Sequence, residues 1–136
     1  MKTAIYPGSF NPWHQGHRDI LNKALKVFDK IIIAIYGEGK HVINPIDFTY
    51  TYNLPHDLEV IKFNKKLLKD VIDKYKPTAI IRGLRNGNDL QYEMNMQYWN
   101  EDLGIKIPTV YFISDREVAH ISSTIIRELD EIKNRK

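Results

Sequence analysis

Ala4-Ile5-Tyr6-Pro7-Gly8-Ser9-Phe10-Asn11-Pro12-Trp13-His14-Gln15-Gly16-His17 is the stretch on which the reading of this chain turns. Its apolar start reads as a first strand over Thr3–Tyr6. Beyond it Ile20, Leu21, Ala24, Leu25 and Phe28 recur at helical spacing, which predicts a helix over Gly16–Phe28. A strand that passes into a helix through Gly, Ser and His suits an anion. The first N–H groups of a helix lack intrahelical partners, and the helix dipole favours negative charge there. The turn is neither G-x-G-x-x-G nor G-x-x-x-x-G-K-[ST], so the usual dinucleotide and P-loop patterns do not apply. It offers instead two histidines, His14 and His17, on either side of Gly16.

Working outward, apolar runs alternate with amphipathic stretches. Ile31-Ile32-Ile33-Ala34-Ile35 is continuously apolar, as in a parallel strand covered on both faces. Leu58–Phe63 reads as a third strand, Lys65–Tyr75 as a helix carrying Leu68, Val71, Ile72 and Tyr75, and Thr78–Ile81 as a fourth strand closed by Arg82-Gly83. Asp89–Leu103 is predicted helical, with Tyr92, Met96 and Trp99 at helical spacing, the usual mark of core or subunit contact. Thr109–Ile113 is a fifth strand, and a last helix begins near Ser122 or Ser123. Between Gly37 and Pro55 the pattern is irregular. Thr49-Tyr50-Thr51-Tyr52 alternates like a short strand, and the stretch suits a lid or binding loop as well as a plain connection. The alternation predicts an α/β fold with a five-stranded parallel sheet, helices on both faces and right-handed crossovers.

The 136 residues predict one domain over 1–136. With no cysteine, disulfides and thiolate metal sites are excluded, and a reducing, cytoplasmic setting fits. The start carries no signal-peptide pattern and no run is long enough to span a membrane, so no membrane partner is expected. The net charge of +3 suits an anionic ligand; the basic residues form no stripe with interleaved aromatics, so no nucleic-acid partner is expected.

In open parallel sheets ligands bind outside the carboxyl ends of the strands. Three clusters fall there: Gly8, Ser9, His14 and His17; then Arg82-Gly83-Leu84-Arg85; then His120-Ile121-Ser122-Ser123-Thr124. Each alone has a plain structural reading, as helix cap, surface ion pair or packed histidine. Together on one rim they suit phosphoryl or nucleotidyl transfer, which needs positioning and charge stabilisation more than covalent participation by protein. No nucleophilic triad and no metal-binding histidine cluster is evident, so no protein metal site is expected; magnesium would come with the nucleotide.

The first block resembles the (T/S)-x-x-H-x-G-H signature of nucleotidyltransferases. Arg82-Gly83-Leu84-Arg85 with Asp89, Tyr92, Glu93 and Met94, and Ile121-Ser122-Ser123-Thr124, are similar to the phosphopantetheine adenylyltransferase family. The resemblance implies a Rossmann-like subunit, usually hexameric, that transfers AMP from ATP to 4′-phosphopantetheine, with Mg2+, giving dephospho-coenzyme A and pyrophosphate. It implies His17 as the catalytic residue. It implies Ser9, Phe10, His14, His17, Gly83, Leu84, Arg85 and Glu93, with Val118, Ala119, His120, Ile121, Ser122, Ser123 and Thr124, around ATP. Ser9, Lys40, Leu68 and Arg82 would hold the acceptor. The family lysine after the second strand corresponds to Lys40, or to His41 if no gap is allowed, in a loop that departs from the family pattern. An acceptor such as nicotinamide mononucleotide, or a nucleotide-binding module without turnover, are the alternatives.

Overall fold

The computed structural model describes residues 1–37, 43–63, 68–85 and 87–115. Lys40, His41, Val118–Thr124 and the predicted last helix lie outside the described residues. In chain order the elements are β1 (Thr3–Gly8), α1 (Gln15–Leu25), β2 (Lys30–Tyr36), α2 (Pro45–Thr51), β3 (Glu59–Phe63), α3 (Leu68–Tyr75), β4 (Ala79–Leu84), α4 (Gly87–Asp102) and β5 (Thr109–Ile113).

All strand pairs are parallel, in the order β3-β2-β1-β4-β5. The chain therefore builds outward from β1 in one direction, then returns to the other side of β1 with β4. That reversal opens a crevice between the carboxyl ends of β1 and β4, where an open α/β sheet binds its ligand. Residue alternation along the strands sends successive side chains to opposite faces. Ala4, Tyr6, Ile31, Ile33, Ile35 and Ile81 pack with Ile20, Leu21 and Ala24 of α1 and Phe48 of α2. Ile5, Ile32, Ala34 and Ile80 pack on the opposite face with Val71 and Ile72 of α3 and with Ile105. Burying each of the Ile, Leu, Val and Phe side chains contributes about 1.5–3 kcal/mol, so the two layers carry most of the fold's stability.

Several elements depart from their predicted form. α1, expected to reach Phe28, ends at Leu25, with Lys26 as its C-cap. β1 runs on to Gly8 and β4 to Leu84, because Gly8 pairs with Ile35, and Gly83 and Leu84 pair with Phe112 and Ile113. Thr49–Tyr52, expected as a short strand, instead closes the helix α2. Asn44 caps that helix by accepting the N–H of Asp47 at 2.9 Å, Pro45 opens it, and Phe48 buries completely. Among the described residues of α4 only Glu93 is buried. Tyr92, Met96 and Trp99 stay exposed in this chain and none belongs to the core.

Candidate active site

The turn after β1 is built from aromatic packing. Phe10 adopts φ of 46°, a region unfavourable for a side chain with Cβ, and compensates by burying its ring edge-on to Tyr6 and Trp13. Gly8 is required beneath that ring, since a Cβ there would lie 2.8 Å from Phe10 Cζ. The turn thus wedges the start of α1 against the end of β1.

His14 is the N-cap of α1. Its Nδ1 accepts the N–H of Gly16 at 3.0 Å, and its own N–H donates to Nδ1 of His17 at 3.1 Å. This is a capping box made by two imidazoles instead of Ser and Glu. It also settles both tautomers. An Nδ1 that accepts a backbone N–H carries a lone pair, so in the neutral ring the proton sits on Nε2. The rings stack with centroids 3.8 Å apart, and Phe10 stands edge-on to His17 at 5.1 Å. Burial first, then His14 and the Arg85 and Arg82 charges, push the His17 pKa down to about 3. Burial and Arg85 push His14 down as well. At neutral pH both histidines are uncharged donors.

The end of β4 supplies a charged donor held by a different device. Arg82 forms a two-pronged pair with the buried Glu93 of α4: Nε lies 3.0 Å from Oε1, and Nη2 lies 2.8 Å from Oε1. Its Nη1 donates to the Pro7 carbonyl at 2.9 Å. Burial works against the Arg82 charge, but the hydrogen bonds and negative charge of Glu93 outweigh it and raise the pKa. Of the five N–H groups of an arginine, these contacts leave one on each terminal nitrogen. Next along, Asp89 accepts the backbone N–H of Arg85 at 3.0 Å and lies 3.3 Å from its Nε. Gly83 lets α1 approach, because a Cβ there would meet Ile20 Cγ1 at 2.9 Å.

Two cavities meet along this rim. The first, about 490 Å³, is bordered by Ser9, Phe10, His14, His17, Gly83, Arg85 and Asp89 among others. The second, about 610 Å³ and more apolar, extends over Phe63, Leu68, Ile80, Met96 and Trp99. Pro7, Gly8, Ser9, Arg82, Tyr92 and Glu93 border both. A polar chamber rich in N–H donors therefore opens onto an apolar one, with an arginine at the seam.

Of the residues predicted for the nucleotide, Ser9, Phe10, His14, His17, Gly83, Arg85 and Glu93 all border the first cavity, whereas Leu84 does not. Of those predicted for the acceptor, Ser9, Leu68 and Arg82 border the second. Sequence reading missed Ser114, a buried residue of the first cavity; its place directly after a strand on the ligand side of the sheet was a usable signal. It also missed that Glu93 holds Arg82. Among the described residues no group of three or more His, Asp or Glu could hold a metal ion. The two carboxylates at the first cavity, Asp89 and Glu93, are engaged by arginines, so these residues do not form a cage for a divalent cation.

A crevice of this kind, at the strand-order reversal of a parallel sheet and faced with anion donors, defines the class of nucleotide-binding α/β proteins, and residues 5–129 match the cytidylyltransferase-like family. Solved structures share the fold. They include a lipopolysaccharide core biosynthesis protein from Thermoplasma volcanium GSS1 (TM-score 0.61, 19% identity, 85% of this chain and 98% of that one). Pantoate-beta-alanine ligase from Francisella tularensis, complexed with beta-gamma ATP and beta-alanine, gives a TM-score of 0.58 at 14% identity, over 96% of this chain and 69% of that one. Relatives named phosphopantetheine adenylyltransferase are closer in sequence. That of Mycoplasma mycoides subsp. mycoides SC is 37% identical over 98% of this chain and 99% of the relative. Those of Pelagibacter ubique and Syntrophomonas wolfei subsp. wolfei are 38% and 40% identical, over 97% and 94% of this chain and 87% and 83% of the relatives. The chain belongs to the phosphopantetheine adenylyltransferase family within the cytidylyltransferase-like proteins.

Proposed function

We propose that this protein transfers AMP from ATP to 4′-phosphopantetheine, giving dephospho-coenzyme A and pyrophosphate. The observation that carries the reading is the pairing of a polar, donor-rich cavity with an apolar one across Ser9 and Arg82. The triphosphate occupies the first and the pantetheine arm the second. Family membership and the names of the relatives support the same reaction.

The acceptor phosphate is anionic at neutral pH and needs no strong base. One of its oxygens attacks the α-phosphorus of ATP in line; the new P–O bond forms as the bond to the bridging oxygen breaks, and the electron pair leaves with pyrophosphate. Positioning of the two substrates supplies about 7–11 kcal/mol of the barrier reduction. The Nε2–H of His17, neutral and aimed by its helix cap, stabilises charge on the transferring group. His14, Ser9, Phe10, Gly83 and Arg85, with Val118–Thr124, hold the nucleotide. Arg82, with its two remaining N–H groups, takes the acceptor phosphate; Lys40 and Leu68 serve the same substrate. Glu93 acts by holding Arg82. Magnesium would enter with the nucleotide and supply charge neutralisation there, and no step here depends on protein ligands for it.

The protein works in the cytoplasm as a homo-oligomer, a hexamer by its resemblance. Leu90, Met94 and Tyr98, exposed one turn apart on α4, support a subunit contact. Pyrophosphate release, assayed with ATP and a panel of acceptors, tests the reaction. The expected result is turnover with 4′-phosphopantetheine far above that with nicotinamide mononucleotide; the reverse order would overturn the assignment.

A further inference from the structure

Asp19 is a buried carboxylate that the chemistry at the histidine turn does not use. It lies on α1, two residues beyond His17. Its Oδ2 accepts the backbone N–H of Asp115 at 2.8 Å and lies 3.4 Å from Nζ of Lys23. Lys23 in turn donates to the Ile113 carbonyl and pairs with Oδ1 of Asp115 at 2.8 Å. One turn of α1 thus grips the residues on either side of Ser114. Ser114 itself is 7% exposed, donates its N–H to the Leu84 carbonyl at 3.2 Å, and borders the first cavity together with His14, His17, Gly83 and Arg85.

Burying a carboxylate is costly unless charge and hydrogen bonds compensate. An apolar residue at this place would hold α1 on the sheet without that cost. What only an acceptor does is capture the Asp115 N–H, just past the end of β5. The same helix carries His17 in its first turn and the grip on β5 from Asp19 to Lys23, so both walls of the cavity are referred to one rigid element.

We propose that Asp19 and Lys23 form a clasp that fixes Ser114 as a wall of the nucleotide cavity, making Asp19 a positioning residue for ATP binding. The inference rests on the reading of that cavity as the nucleotide site. The clasp acts through backbone placement on one substrate alone, and this separates it from general support of the fold.

Steady-state pyrophosphate release by the full chain tests it, with ATP and 4′-phosphopantetheine varied separately and thermal unfolding followed in parallel. In Asp19→Ala the KM for ATP rises about tenfold, as for loss of a charge-assisted hydrogen bond, while the KM for the acceptor stays the same. Asp19→Asn keeps an oxygen for the Asp115 N–H and recovers most of the ATP affinity. If Asp19→Ala does not fold, Lys23→Met carries the test, with an expected rise of about threefold in the KM for ATP alone. An unchanged KM for ATP in the folded variant, an equal rise in both KM values, or an Asp19→Asn protein as impaired as Asp19→Ala would overturn the clasp while leaving the proposed reaction intact. A wild-type protein that binds no ATP would overturn both.

Discussion

The turn after β1 and the end of β4 face one cavity with hydrogen-bond donors, but they hold them ready in opposite ways. At the turn the donors are neutral imidazoles, oriented by backbone N–H groups of the helix they cap. At β4 the donor is a permanent cation, oriented by the buried Glu93 carboxylate and a strand carbonyl. The first device depends on the helix start and on His17 staying uncharged. The second depends on one side chain from a different element. A site that must bind two anionic substrates beside each other gains from this division: neutral N–H groups stabilise charge that develops during the reaction, and the fixed cation meets charge that is already present.

Removing a donor at the turn should have the largest effect. His17→Ala is expected to lower kcat by about 10²–10³-fold, with substrate KM values much less changed, as for loss of one preorganised donor to a transition state. Single-turnover measurement of pyrophosphate formation checks this. Near-normal turnover in a folded variant would remove the turn from the chemistry.

Breaking the β4 device should act on stability and on the acceptor. Glu93→Ala leaves Arg82, whose side chain is only 30% exposed, without its carboxylate. A loss of about 3 kcal/mol in urea unfolding is expected, with a raised KM for 4′-phosphopantetheine. If the variant instead loses ATP affinity and keeps its affinity for the acceptor, Glu93 serves the nucleotide directly and the two walls do not divide the substrates between them.

The smallest effect sharpens the contrast through pH. In the unfolded chain His17 takes up a proton as the pH falls below its ordinary value of 6.5, whereas in the folded protein it stays neutral down to about 3. The unfolded state therefore binds more protons across that window. The stability that His17 contributes is complete above it and is lost as the pH falls through it. His17→Asn retains an acceptor for the His14 N–H and removes the titration. Its unfolding free energy should decline less steeply with acid than that of the wild type, and identical slopes would mean that His17 titrates normally in the fold.

Much of this architecture was legible from residue patterns. The all-apolar Ile31–Ile35 run, and the helical spacing after the histidine turn, report burial on two faces and on one face, and burial is what the sheet and α1 enforce. The rim position of Ser9, His17, Arg82 and Arg85 followed from the rule that ligands meet the carboxyl ends of strands. Partnerships were harder to read. Arg82 and Glu93 stand eleven residues apart on a strand and a helix, and nothing in their spacing says that one holds the other. The alternation of Thr49–Tyr52 suggested a strand, yet the Asn44 cap, Pro45 and the burial of Phe48 favour a helix. Tertiary packing of a single ring outweighed a local pattern of four residues. The histidine capping box was equally hidden, because imidazoles rarely occupy both of its positions.

In the proposed reaction the helix cap presents His17 to the nucleotide as a neutral Nε2–H donor. Imidazole ¹⁵N chemical shifts of His17, recorded at neutral pH before and after adding ATP, test it most directly. The expected spectrum shows an unprotonated Nδ1 and a protonated Nε2, with the Nε2 resonance moving on nucleotide addition. A ring protonated on both nitrogens in the free protein, or an Nε2 resonance indifferent to ATP, would contradict the account.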